Sequence, residues 1–329
     1  MFNRRSLAGL PLALAAPRLA IAQDRYPSRP VRFINPYGPG GATDIIGRLI
    51  AEQFRQIFGQ PFVVENRPGA GGMIASELVA RSRPDGYTLI LGNTTTNMLT
   101  PLLYRGRAPV DVFREIVPIS RLADLPAVVA VSTANNFAPR TVREVIDYAR
   151  AHPGEVRYVT PGAGTYAHFD MELLAKREGV EFTHIPMPQG AGPINTALIR
   201  GDAQLISLNA AVLQPLLATG QIRGIAVFSD GRMPEYPDLP TMAEAGYPGI
   251  GTVSWLALYA PAGMPPDVMS ALHAATQRAL ASDAVREAFQ RQMIRATPSA
   301  SPAEALEWQN SEITTWRRII AETGIELTG

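Results

Sequence analysis

Val31-Arg32-Phe33-Ile34-Asn35-Pro36-Tyr37-Gly38-Pro39-Gly40-Gly41-Ala42-Thr43-Asp44 decides how this chain is read. A short apolar strand stops at Pro36, a glycine-rich turn follows, and Ile46, Ile50, Phe54 and Phe58 then recur every four residues up to Gly59, the period of a helix with one buried face. The unit repeats downstream, with a strand over 62–65, a helix over 74–80 and a strand over 87–91 set off by Pro84-Asp85-Gly86. Alternation of this kind predicts a parallel sheet flanked by helices. The chain runs extended over 125–131 and then opens a second series. Thr141 and Glu144 have the spacing of a capping box. Strands are expected over 156–159, 182–185, 204–208 and 224–228, with helices over 168–177, 193–200 and 211–218. Thr241 and Glu244 form another capping box, and 253–259 is again strand-like. The tail is helical, opened by Pro265-Pro266 ahead of Val268, Leu272 and Leu280, and closed by a helix capped at Ser301, with Leu306, Ile313, Trp316 and Ile320 on one face. The reading is a two-lobed α/β fold, each lobe a mostly parallel sheet flanked by helices. Lobe one takes 23–123 plus 255–329 and lobe two takes 124–254, with the helical tail returning to cover lobe one and a hinge where the chain crosses near 123–131 and 251–260.

A chain of 329 residues exceeds what one hydrophobic core usually serves, which favours two lobes. Charged residues are 18% and apolar residues 46%, the balance of a folding chain. The first 22 residues have the three regions of a signal peptide: Arg4-Arg5, the apolar run 7–16, and Ala20-Ile21-Ala22 before Gln23. Cleavage is expected there, placing the protein in the periplasm. Removing Arg4, Arg5 and Arg18 turns the formal charge of +1 slightly negative, which argues against a nucleic-acid surface. With no cysteine, thiol nucleophiles, disulfides and Cys-ligated metals are excluded.

The turn at Gly38–Gly41 fits two readings. It is a bare strand-to-helix connector, or its glycines let an anion approach the four unpaired N–H groups at the positive end of the helix dipole. Thr43 and Asp44 are candidate caps of that helix. The second lobe repeats the device in Thr160-Pro161-Gly162-Ala163-Gly164-Thr165, with His168 one turn into the helix as a ligand or a packing residue. Asn93 and Thr94, after the strand 87–91, belong to a turn dense in neutral hydrogen-bonding groups. Gly69-Ala70-Gly71-Gly72 completes no dinucleotide fingerprint and reads as a turn. There is no G-x-S-x-G, no phosphate-loop lysine motif and no H-E-x-x-H, and the four histidines are scattered. Neither metal nor cofactor is expected. A secreted hydrolase using His168 is the minor alternative.

Specific stretches resemble a known family. Glu65-Asn66-Arg67-Pro68-Gly69-Ala70-Gly71-Gly72, Pro84-Asp85-Gly86-Tyr87-Thr88, the turn 162–165 with His168, His184-Ile185-Pro186 and Ala260-Pro261-Ala262-Gly263 look like the Bug receptors, the TctC-like periplasmic solute-binding proteins of tripartite tricarboxylate transporters. The resemblance implies a Venus-flytrap fold closing on a small organic carboxylate, no catalysis, and delivery by a monomer to an integral-membrane permease, or else to a signalling receptor. It also implies that Tyr37, Gly40 and Gly41 (with Gly38 in the same turn) and Gly162, Ala163, Gly164 and Thr165 grip the carboxylate, with Asn93 and Thr94 secondary. Departures from the family pattern fall at Met187-Pro188-Gln189-Gly190 and at Leu208-Asn209. Met187, Gln189 and Leu208 are therefore expected to set ligand identity in a more apolar distal pocket. An amino-acid ligand loses an acidic partner beside Asn209.

Overall fold

The structure, a computed structural model, describes residues 26–104, 108–135, 137, 139–187 and 191–325. Lobe one opens with β1 (Val31–Asn35), α1 (Ala42–Phe58), β2 (Phe62–Asn66), α2 (Met73–Ala80) and β3 (Thr88–Asn93). A π-helical turn (Thr94–Leu99) and two short helices, α3 (Thr100–Leu103) and α4 (Val112–Glu115), lead to β4 (Ile116–Leu125). Lobe two holds β5 (Ala127–Ser132), α5 (Val142–Ala151), β6 (Val156–Thr160), α6 (Tyr166–Glu178), β7 (Phe182–Pro186), α7 (Ala191–Arg200), β8 (Leu205–Asn209), α8 (Ala210–Ala218) and β9 (Ile222–Phe228). The chain then returns through β10 (Ser254–Pro261), α9 (Pro266–Leu280), α10 (Asp283–Arg291), β11 (Arg295–Ala296) and α11 (Pro302–Thr323).

The two sheets follow one plan. Their orders are β2-β1-β3-β10-β4-β11 and β7-β6-β8-β5-β9. In each, three parallel strands are followed by one reversed strand, and that strand is the one arriving from the other lobe: β5 between β8 and β9, β10 between β3 and β4. Register fixes where the lobes meet. Asn93 at the end of β3 lies opposite Leu256 near the start of β10, and Asn209 at the end of β8 lies opposite Ala127, the first residue of β5. The carboxyl ends of the co-oriented strands in both sheets therefore border the crossings at Pro126 and 251–254. That is where open α/β sheets bind ligands.

Packing explains several departures from expectation. β4 is a ten-residue strand that the sequence hides, because Pro118, Ser120, Arg121 and Asp124 interrupt its apolar run. The Thr241–Glu244 box forms both of its hydrogen bonds, yet it closes a turn and not a helix, since Gly246 has φ +96°. On α11 the buried face is Ala305, Gln309, Ile313, Trp316 and Ile319, while Leu306 is 42% exposed. This helix reaches past lobe one. Trp316 meets Phe169 of α6 edge to face at 6.0 Å, and Glu322 pairs with Arg177 at 2.6 Å. One buried apolar layer accordingly runs without a break from Ile34 and Trp255 in lobe one to Tyr158 and Phe169 in lobe two.

Candidate functional site

Asp44 organises the first turn. It is the third residue of α1 and nearly fully buried, and its carboxylate accepts the Gly40 N–H at 3.0 Å, two N–H groups of Arg48 at 3.0 Å each and the Asn66 amide at 2.9 Å. The Arg48 guanidinium holds the Asp44 carboxyl far below the usual carboxylate range. This corrects the expected caps. The N-cap of α1 is Gly41, with φ −78°, and no side chain caps it, so Thr43 and Asp44 lie inside the first turn. The opening amides of the helix are thereby left available to another acceptor. Gly40 has φ +85°, a conformation that favours glycine, and its N–H is committed to Asp44. Gly38 and Gly41 have open space where a Cβ would stand.

Tyr37 is fixed from three sides. Its N–H donates to Asn35 at 3.3 Å, its carbonyl accepts from Asn66 at 2.9 Å, and its hydroxyl exchanges hydrogen bonds with the Asn93 amide at 3.0 and 3.1 Å. Asn93 also takes the Thr96 N–H at 3.0 Å as N-cap of the π-helical turn, so its side chain orients Tyr37. Thr94 is buried and accepts the Trp255 N–H at 3.1 Å, which ties the turn to the start of β10.

Lobe two rebuilds the arrangement with different chemistry. Gly164, at φ +75°, donates its N–H to Nδ1 of His168 at 3.2 Å, as Gly40 does to Asp44. His168, like Asp44, is the third residue of its helix, and its N-cap Thr165 makes no side-chain cap bond. The Thr165 hydroxyl instead donates to the Gly162 carbonyl at 2.8 Å, while Ala163 is exposed at the tip of the turn. Behind the turn His168 stacks on His184 at 4.1 Å, and His184 stacks on Tyr158 at 4.8 Å and bonds Thr160 at 2.7 Å. Burial first, and His184 second, lower the His168 pKa to about 4. A neutral imidazole is what an acceptor Nδ1 requires. Two residues on, Asp170 is fully buried, accepts the Thr252 N–H at 3.0 Å and its hydroxyl at 2.9 Å, and is raised to about 7 by burial. It anchors α6 to the second crossing.

Beside the second turn stands a residue that sequence reasoning passed over. Tyr166, the first residue of α6, is buried, feels the charge of Tyr37 from lobe one, and bonds Oδ1 of Asn209 through its hydroxyl. Asn66, Arg48 and Asp170 were missed as well; only the helical spacing of Asp44 to Arg48 could have flagged one of them. Leu208 lies in a core. It is buried, in the same apolar cluster of lobe two as Val128, Ile194 and Leu213. Met187 is half-buried against that same core, and Gln189 lies outside the described residues. Among the described residues no group of His, Asp and Glu is placed to hold a metal ion, and no helix is long and apolar enough to cross a membrane.

Known proteins share this architecture. Residues 46–325 match the family model of the tripartite tricarboxylate transporter family receptor. Protein BugT of Bordetella pertussis is 34% identical, with 98% of each chain covered. The solved structure of R. palustris Rpa4515 with adipate superposes with a TM-score of 0.80 at 32% identity, covering 92% of this chain and 99% of that one. MatC from Rhodopseudomonas palustris with bound malate gives 0.76 at 29% identity, covering 90% and all of that chain. Two lobes on one strand plan, each ending in a glycine turn and an uncapped helix at the crossings, are thus the frame of a substrate-binding receptor, and the chain belongs to the tripartite tricarboxylate transporter receptor family.

Proposed function

We propose that this protein is a periplasmic receptor that captures a small organic carboxylate between its lobes, 23–123 plus 255–329 and 124–254, and delivers it as a monomer to the permease of a tripartite tricarboxylate transporter. The observation that carries the reading is the pair of helix starts, α1 and α6, whose N-caps Gly41 and Thr165 use no side chain for capping. Both stand at the carboxyl edge of a sheet beside the crossings. Amides at such positions suit a carboxylate without any cation. Adipate and malate in the two related structures are carboxylates of the expected size. Residues 1–22 serve as the export signal and are removed. No step of chemistry is needed. His168 keeps a backbone amide on Nδ1 and so supports the turn, and the ligand acts by stabilising the closed arrangement of lobes.

The test is thermal denaturation of the processed protein with adipate, malate and simple monocarboxylates. A ligand at about 100 times its Kd adds roughly 2.7 kcal/mol, which for a chain of this size is a rise of several degrees. Gly41→Val should remove that rise with the unliganded melting temperature nearly unchanged, because φ −78° suits any residue and a Cβ there meets nothing within 4 Å. A panel of carboxylates that leaves the melting temperature unmoved rejects the reading.

A further inference from the structure

We propose that Asn209, held in orientation by Tyr166, selects the group at the far end of the ligand: its amide Nδ2 donates to an oxygen acceptor, as in a second carboxylate, and turns away an ammonium. This rests on the carboxylate-receptor reading and adds to it the class of ligand.

Three observations converge. Asn209 is the N-cap of α8, a position where asparagine normally bonds the helix amides, yet its side chain makes no cap bond there. That side chain is turned instead toward Tyr166, whose hydroxyl bonds Oδ1. Tyr166 is buried, so its hydroxyl is a fixed donor, and it leaves Nδ2 of the half-buried Asn209 without a hydrogen-bond partner among the described residues. The location is the third point. Asn209 ends β8 opposite the first residue of β5, and the next residue, Ala210, bonds the Pro126 carbonyl at 3.0 Å, which fixes Asn209 at the crossing between the lobes. An amide can face a ligand with its donor or its acceptor side, and here the acceptor side is occupied.

The surroundings agree in sign. The Ala210 N–H at the start of α8 is committed to Pro126, but no side chain caps the helix, and its positive end favours negative charge nearby. The carboxylate that acts on Tyr166 is Asp170, and it is fully buried with its oxygens committed to Thr252. An ammonium at Nδ2 would meet a donor where it needs an acceptor. A ligand ending in a methyl group would leave Nδ2 buried and unpaired, the situation that gives hydrogen-bonding sites their strongest discrimination.

The experiment uses length-matched acids and calorimetric Kd values: adipate, hexanoate and 6-aminohexanoate, with succinate, butyrate and 4-aminobutyrate as the shorter set. Wild-type protein should prefer the dicarboxylate over the monocarboxylate by about tenfold or more in the better-fitting set, with the amino acid weakest. Asn209→Asp keeps the acceptor for Tyr166 but presents an anion to the ligand. It should move the ratio of dicarboxylate to amino-acid affinity by roughly a hundredfold in favour of the amino acid. Tyr166→Phe keeps the ring and frees the amide, so the dicarboxylate preference should shrink several-fold with the monocarboxylate Kd unchanged; it also carries the test should Asn209→Asp not fold. Equal wild-type affinity for the dicarboxylate and the monocarboxylate of the better-fitting set, or an unaltered ratio in Asn209→Asp, overturns this assignment alone. Failure of every acid to bind overturns the receptor reading and this assignment with it.

Discussion

His168 and Asp170 sit two residues apart on α6 and answer acid in opposite ways. The lowered His168 pKa means that the unfolded chain takes up a proton first as pH falls below about 6.5, so stability is lost from there toward the folded value near 4. Asp170 does the reverse. With its pKa raised to about 7, the folded protein holds a proton that the unfolded chain has released above about pH 4, and stability is lost as pH rises through that window. Comparison with a variant separates the two. Asp170→Asn keeps an acceptor for the Thr252 N–H and removes the charge, so its melting temperature relative to wild type should climb between pH 5 and pH 8, by an amount equivalent to a few kcal/mol at most. Melts of both proteins across that range check it; a constant difference would mean that Asp170 does not titrate there. Asp44 was legible as a helix-start residue but not as the hub of its turn. Whether such a side chain caps or reaches backward depends on whether the helix begins at Gly41 or two residues later, which spacing does not resolve.

At the scale of elements, the sequence speaks where one face of a helix or strand is wet. Alpha-helix α1 and the turn before it were readable because Ile46, Ile50 and Phe54 are buried while Arg48 and Glu52 are not. Strand β8 was readable as a strand but not in orientation. It is covered on both faces, so Leu208 and Ser207 carry no alternation to say which looks toward the cleft. Helix α11 gives the sharpest energetic contrast. Trp316→Ala removes a fully buried ring between β4 and α6 and should cost about 3–5 kcal/mol in urea unfolding. Glu322→Ala breaks only the partly exposed pair with Arg177 and should cost about 1 kcal/mol or less. Similar losses for the two would show that the lobes are joined by charge and not by packing.

For the whole molecule, a site built from amides predicts weak dependence on salt. Arg48, the guanidinium beside the first turn, is neutralised by Asp44, and the donors that remain are fixed dipoles between the lobes. The Kd for a dicarboxylate should change less than about threefold between 0.05 and 0.5 M sodium chloride by calorimetry; a fall of tenfold or more would point to unpaired arginines as the true contacts. The doubling of the strand-turn-helix unit pointed to two lobes without fixing where the chain divides between them. What no periodicity announced was that α11 spans both lobes, because contacts such as Trp316 with Phe169 join residues far apart in the chain. Mechanically the lobes are then more than a door on two hinge pins. The crossings at Pro126 and 251–254 are the pins, and α11 is a stay bolted to both leaves. A stay resists swing, so any further parting of the lobes has to disturb the edge-to-face contact of Phe169 with Trp316. The freedom of the lobes to part is thus held in the Trp316–Phe169 contact, and Trp316 is well separated in sequence from either glycine turn.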